Sequence, residues 1–202
     1  MRADDPVGVS DDPGWQLIEE IPKCETPWLR VMEEVVATPT RSAGCRWTVA
    51  RRPKAAVIAP RFPDGTWLLI RQERIAVRRT MWEFPAGQVE GRVTPESIRA
   101  TALRELREEA GVEPDGALIE LGAFFSSCGF TDECMFLFLA DCVRASLEGA
   151  TPDHDEAILE TRRVGDSELW EMIATGEICD ANTLAITARL VARGLIRPAV
   201  GV

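Results

Sequence analysis

Polar and apolar positions along the chain change period several times, and each change marks an element. Residues 15–52 carry short alternating segments, among them LRVMEEVVATP and CRWTVARR, whose period of two predicts strands of a small N-terminal β unit. The apolar runs AAVIAP (55–60) and TWLLIRQE (66–73) flank Pro63-Asp64-Gly65 and predict a strand–turn–strand pair. MWEFPAGQVEG reads as a strand running into a Pro/Gly loop. From Thr94 the period lengthens. Thr94 suits an N-cap, Pro95 the first helical position and Gly111 a C-terminal stop, which predicts a helix over 95–110. ALIELGAFFSS and CMFLFLADCV return to strand character, and ILETRRV follows an acidic loop, TPDHDEA. Two helices close the chain, over 166–175 and 180–193, with Asp166 and Asp180 as caps and Gly176 and Gly194 as stops. This order of elements predicts an α/β or α+β sandwich.

The helix over 95–110 holds an anomaly. At about 100° per residue, Ile98, Ala102, Leu103, Leu106 and Ala110 fall on one broad side and should pack on a sheet. Glu105 and Glu109 lie about 40° apart, and Glu108 about 60° beyond Glu105, so three carboxylates share one face beside that stripe. Arg104 stands four residues before Glu108 and can pair with it. A solvated charged face accounts for such a cluster. Two features favour a hard cation instead: no lysine is interleaved, and the acids occupy the last turn, where the macrodipole disfavours negative charge.

Bulk properties narrow the classes. The 202 residues suffice for one well-buried domain with a small appendage, and a net charge of −10 argues against nucleic-acid binding. No run of eighteen apolar residues predicts a membrane span, and residues 1–14 read as a disordered lead with no signal peptide. Cys24, Cys45, Cys128, Cys134, Cys142 and Cys179 form no CxxC pair and read as reduced core residues of a cytoplasmic protein. His154 is the single histidine.

Read in order, the acidic segment Arg104-Glu105-Leu106-Arg107-Glu108-Glu109-Ala110-Gly111-Val112 matches RE-U-x-EE-x-G-U, and Glu96 supplies the E-x7-RE spacing. With FPAG (84–87) ahead of it, the chain resembles a Nudix hydrolase. It departs from that pattern in one place: eight residues separate Gly87 from Glu96 where the family has five, and on the wheel Glu96 points away from Glu105 and Glu109. The flanks are similar to the ADP-ribose pyrophosphatase branch: RQERIAV (71–77) resembles its Q-[YF]-R segment, SSCGFTDE (126–133) its S-P-G-[FLM]-[ST]-x-E loop, and DHDEAIL and GEICDANTLAITARL its late acidic loop and C-terminal helix.

The resemblance implies a Nudix-type α/β/α sandwich with a mixed sheet over 53–202, preceded by a dimerisation unit over 15–52. It implies two or three Mg²⁺ ions, with Mn²⁺ as a substitute, held by Glu105, Glu108, Glu109 and the carbonyl of Ala86, with Arg104 orienting the carboxylates. Glu156 is the implied general base, with Asp153 and Asp155 competing for the role. Arg74 would contact the diphosphate and Glu133 a ribose hydroxyl. Trp28 and Trp47 would sandwich the adenine across a homodimer with exchanged N-terminal units, and Arg52 would reach the partner's site. The implied activity is metal-dependent hydrolysis of ADP-ribose, or a related nucleoside diphosphate sugar, to AMP and ribose 5-phosphate. Another nucleoside diphosphate sugar such as UDP-glucose is the nearest alternative, and a non-catalytic ADP-ribose sensor a further one.

Overall fold

A computed structural model describes residues 14–151 and 157–197. Its first unit is a three-stranded antiparallel sheet of β1 (Gln16–Thr26), β2 (Leu29–Thr38) and β3 (Arg41–Arg51). β2 and β3 follow from their alternation. β1 is almost wholly exposed along its length, so no buried face imposes a readable pattern on it. The sheet meets the rest of the chain at the loop after Cys128. There Ala50 N–H donates to Phe130 O (2.7 Å), Thr131 Oγ1 donates to Ala50 O (2.7 Å), and the Trp47 indole donates to Gly129 O (2.9 Å).

The second unit is built on β4 (Ala55–Arg61), β5 (Trp67–Arg74), β6 (Arg79–Glu83), β7 (Ala86–Gln88), β9 (Leu118–Phe125), β10 (Cys134–Asp141) and β12 (Ile158–Val164). The sheet runs β12-β5-β4-β10-β9 and is mixed, because β10 lies parallel to β4 and antiparallel to β9. β4 and β5 pair only at Arg61 and Trp67 and then splay apart. The segment 79–88 fills the gap, its first half pairing with β5 as β6 and its second half with β4 as β7. The Pro/Gly loop expected after Phe84 is therefore partly strand. A small ladder of β8 (Val112–Pro114) and β11 (Val143–Ala145), not legible from the pattern, closes one end.

α1 (Pro95–Glu108) covers one face of the sheet, while α2 (Asp166–Ala174) and α3 (Ala181–Ala192) are associated with the other. β4 is buried on both sides. Ala56 and Ile58 join Ile98, Ala102 and Leu106 of α1, whereas Val57 and Ala59 join Leu169, Met172, Ile186 and Leu190. That double burial is why AAVIA is a continuous apolar run rather than an alternating one. Thr94 and Ser97 form a reciprocal capping box at the start of α1. The helix ends at Glu108 rather than Ala110, with Gly111 at φ +63° turning the chain away. Two other expectations change. Gly165, not Asp166, is the N-cap of α2, and the Asp166 carboxylate instead accepts from the Trp67 indole at 2.7 Å. Only Cys134 among the cysteines is a core residue, while Cys24, Cys128 and Cys179 are exposed. Among the described residues no helix is long and apolar enough to cross a membrane.

Candidate active site

The last turn of α1 runs under the edge of β7. Glu105 and Glu109 are buried at 2% and 1% exposure, while Glu108 stays partly open. Arg104 spans two of the three acids, donating to Glu105 Oε1 at 2.5 Å and to Glu108 Oε2 at 2.6 Å. Burial opposes the charge on Arg104, but the neighbouring carboxylates outweigh it and hold its pKa above the ordinary value. Glu109 Oε2 accepts from Ala86 N–H at 2.8 Å.

The ladder explains why Ala86 is available. Ile58 N–H donates to Pro85 O (2.9 Å) and Val89 N–H to Lys54 O (2.8 Å), so in the alternating pattern Ala86 faces Val57 as a non-bonded pair. Both its N–H and its carbonyl are turned away from β4, toward the side on which Glu109 lies. Gly87 completes the cradle: a Cβ there would stand 1.7 Å from Glu105 Oε1. Only glycine lets that carboxylate lie against the strand.

Arg74, at the end of β5, chelates the buried Glu83 with Nε (2.9 and 3.1 Å) and Nη2 (2.5 Å). Burial again opposes the guanidinium charge. The bonds to Glu83 and the fields of Glu83, Glu109 and Asp180 raise its pKa nonetheless. Asp180 caps α3, accepting from Thr183 N–H at 2.8 Å, and its Oδ2 has no hydrogen-bond partner. Burial, with the charge of Glu83 adding to it, lifts the Asp180 pKa from 3.8 to about 6. The region thus gathers Glu83, Glu105, Glu108, Glu109 and Asp180 around two guanidiniums, Arg74 and Arg104. An excess of buried carboxylate oxygens matches what a hard divalent cation coordinates. Among the described residues, no three acidic, histidine or cysteine side chains converge as a formed coordination sphere, since Glu105 and Glu108 both reach to Arg104.

Glu96 takes no part. It sits exposed in the first turn of α1, about 13 Å along the axis from Glu105, its carboxylate held below the usual pKa by its own N–H and the Thr94 hydroxyl. Glu133 accepts from Ser126 Oγ at 2.6 Å and pairs with Arg52 Nε at 3.1 Å, so within one chain Arg52 and Glu133 lie together. Trp28 and Trp47 are 62% and 52% exposed. Trp47 pairs with Glu34, six positions beyond Trp28 on β2, which separates the two tryptophans by about 20 Å in one chain. A groove of about 920 Å³ between the N-terminal sheet and the 128–132 loop is lined by Trp15, Trp47, Val49, Arg51, Phe130 and Asp132. It lies apart from the acidic turn.

Asp153, His154, Asp155 and Glu156 fall outside the described residues. Their described neighbours are informative: Thr151 N–H donates to Glu108 O (2.9 Å), and Glu73 N–H donates to Ala157 O (3.0 Å). The chain leaves from the acidic turn and returns beside Arg74. Sequence reasoning missed Glu83 beside Arg74, and read Asp180 only as a cap. The available signal for Glu83 was a carboxylate inside the apolar stretch WEF.

The chain is similar to several known proteins. A model of the NUDIX domain matches residues 50–184. The chain is 33% identical over 150 residues to an ADP-ribose pyrophosphatase of Bacillus subtilis, spanning 74% of this chain and 78% of that protein. It is 29% identical over 150 residues to an ADP-ribose pyrophosphatase of Mycobacterium tuberculosis, spanning 71% and 69%. A crystal structure of an ADP compounds hydrolase superposes with a TM-score of 0.71, covering 90% of this chain and 97% of that one; at 17% identity it speaks for the fold alone.

Proposed function

The chain belongs to the NUDIX family, and on that premise we propose that this hydrolase cleaves the diphosphate bond of ADP-ribose, or of a closely related nucleoside diphosphate sugar, to give AMP and ribose 5-phosphate. The observation that carries the reading is the buried acidic turn, in which Glu105 and Glu109 lie against Gly87 and Ala86 under Arg104.

Glu105, Glu108, Glu109 and the Ala86 carbonyl are the groups that would hold Mg²⁺ or Mn²⁺, as two or three ions. Bound there, the cations would screen the substrate's charge, lower the pKa of a water and offset charge on the transferring phosphoryl group. Arg104 keeps Glu105 and Glu108 oriented. Arg74 presents its guanidinium to the diphosphate, with Nε and Nη2 anchored on Glu83 and Nη1 left for phosphate oxygen. Glu156 takes the proton of the attacking water, and the anchoring of Thr151 and Ala157 on either side of the site supports that role over a remote one. One P–O bond forms to the water oxygen, the bridging P–O bond breaks, and two phosphomonoesters leave. Glu133 and Arg52 meet the ribose and phosphates.

Trp28 and Trp47 are too far apart in one chain to enclose a single base. Their exposure supports a homodimer in which exchanged N-terminal units bring one from each protomer. The test is Glu109→Gln. Mg²⁺-dependent release of AMP from ADP-ribose should be lost with the circular dichroism spectrum unchanged, and full activity would refute the site. Screening UDP-glucose, GDP-mannose, NADH and diadenosine polyphosphates with either metal separates ADP-ribose from its relatives.

A further inference from the structure

The segment that carries Ala86 changes strand partners immediately before reaching it. Glu83 is the last residue of β6 to pair with β5, opposite Ile70, and Pro85 O is the first acceptor toward β4. Phe84 lies between the two ladders, and its amide can join neither. Pro85 has no N–H to offer. The Phe84 N–H is satisfied from outside the sheet: it donates to Thr183 Oγ1 at 2.9 Å, with both groups buried. Thr183 is itself fixed twice. Its N–H donates to Asp180 Oδ1 (2.8 Å), and its carbonyl accepts from Thr187 Oγ1 (2.7 Å). Two residues after Phe84, Ala86 donates to Glu109.

We infer that Thr183, held by the Asp180 cap, is a positioning residue of the metal site: through Phe84 it sets the point at which the strand switches, and with it the placement of Ala86 against Glu109. A helix from the opposite face of the sheet thereby becomes part of the site. The inference rests on the metal site proposed above. The hydroxyl touches neither substrate nor metal, so its effect must appear in the binding of the ion to substrate-free protein as well as in turnover. Loss of an orienting hydrogen bond behind a metal ligand typically weakens binding about tenfold or more.

The experiment titrates Mn²⁺ into substrate-free protein, following free Mn²⁺ by electron paramagnetic resonance, for wild type, Thr183→Val and Thr183→Ser. Steady-state kinetics on ADP-ribose at saturating Mn²⁺ and thermal melting in EDTA accompany it. Valine keeps the volume and removes the acceptor. Its Mn²⁺ Kd should rise about tenfold and kcat should fall more than KM moves. Serine should stay within about twofold of wild type. Wild-type Mn²⁺ affinity and kcat in the valine variant would overturn the inference and leave the metal site standing. A wild-type protein that binds no Mn²⁺ would remove both. If the valine variant does not melt cooperatively, Asp180→Ala and Asp180→Asn replace it. Alanine should weaken Mn²⁺ binding and asparagine, which keeps the cap acceptor, should restore it; equal Kd values in the two variants overturn the inference.

Discussion

Asp180→Asn should stabilise the protein at neutral pH and leave it unchanged near pH 4. The carboxyl is buried at the head of α3, next to Glu83 and with Oδ2 unpartnered, and its pKa is lifted from 3.8 to about 6. Burial is the largest cause, opposed by the bond from Thr183 and reinforced by Glu83. The folded state therefore binds this proton more tightly than the unfolded chain does. Stability from this group is fully present below about pH 4, falls as pH rises through about 6, and stays lost above it. A displacement of about two units at about 1.4 kcal/mol each gives a ceiling near 3 kcal/mol; the carboxyl is not wholly enclosed, so about 2 kcal/mol is the working figure.

Asparagine reproduces the neutral form and caps a helix as well as aspartate, so the bond to Thr183 N–H survives. In a chain of this size about 2 kcal/mol corresponds to a gain of about 4–8 °C in Tm. The assay is thermal unfolding in EDTA from pH 4 to 8, comparing variant with wild type at each pH so that other carboxylates cancel. An equal or lower Tm for the variant at pH 7.5, or the same gain at pH 4, refutes the reasoning.

Gly87→Ala would set a Cβ 1.7 Å from Glu105 Oε1 at a position whose backbone tolerates alanine, so the carboxylate must move. Mn²⁺ affinity measured by titration should drop tenfold or more, about 1.4 kcal/mol, with a Tm loss of a few degrees; unchanged affinity counts against the cradle. Arg104→Gln takes the guanidinium from Glu105 and Glu108, one of them buried. It should cost about 3 kcal/mol in EDTA, part of which saturating Mg²⁺ returns by mass action; a Tm insensitive to both changes would refute the charge balance.

The legibility of this chain follows the range of the forces involved. α1 was readable almost to the residue because its signals are local: Thr94 and Pro95 at one end, Gly111 at the other, and an apolar stripe between. β4 and β5 were readable because burial on both faces leaves unbroken apolar runs. β1 was not, since an exposed strand is held by its ladder to β2 and leaves no pattern of its own. That the three late glutamates share one face could be read from spacing, and their role as ligands was what the resemblance implied. Glu83, Asp180 and Thr183 could not, because their meaning lies in contacts such as Phe84 to Thr183, ninety-nine residues apart in sequence. Arg52 is a further case: it pairs with Glu133, far along the same chain, a contact that no local signal announces.

One consequence joins the charge of the chain to its proposed chemistry. A protein of net charge −10, with five carboxylates and two guanidiniums at its site, repels the diphosphate it is proposed to cleave. Arg74 cannot invert that field alone, because Glu83 already occupies two of its donors. Only a cation at the acidic turn changes the local sign. Binding of cation and of substrate must therefore favour each other, and linkage requires the effect to be equal in both directions. The same carboxylates that make the empty turn costly to fold are those that make the loaded turn attractive to phosphate. On the proposed reading, this is the physical reason for concentrating three glutamates at the end of a helix, where its dipole least welcomes them.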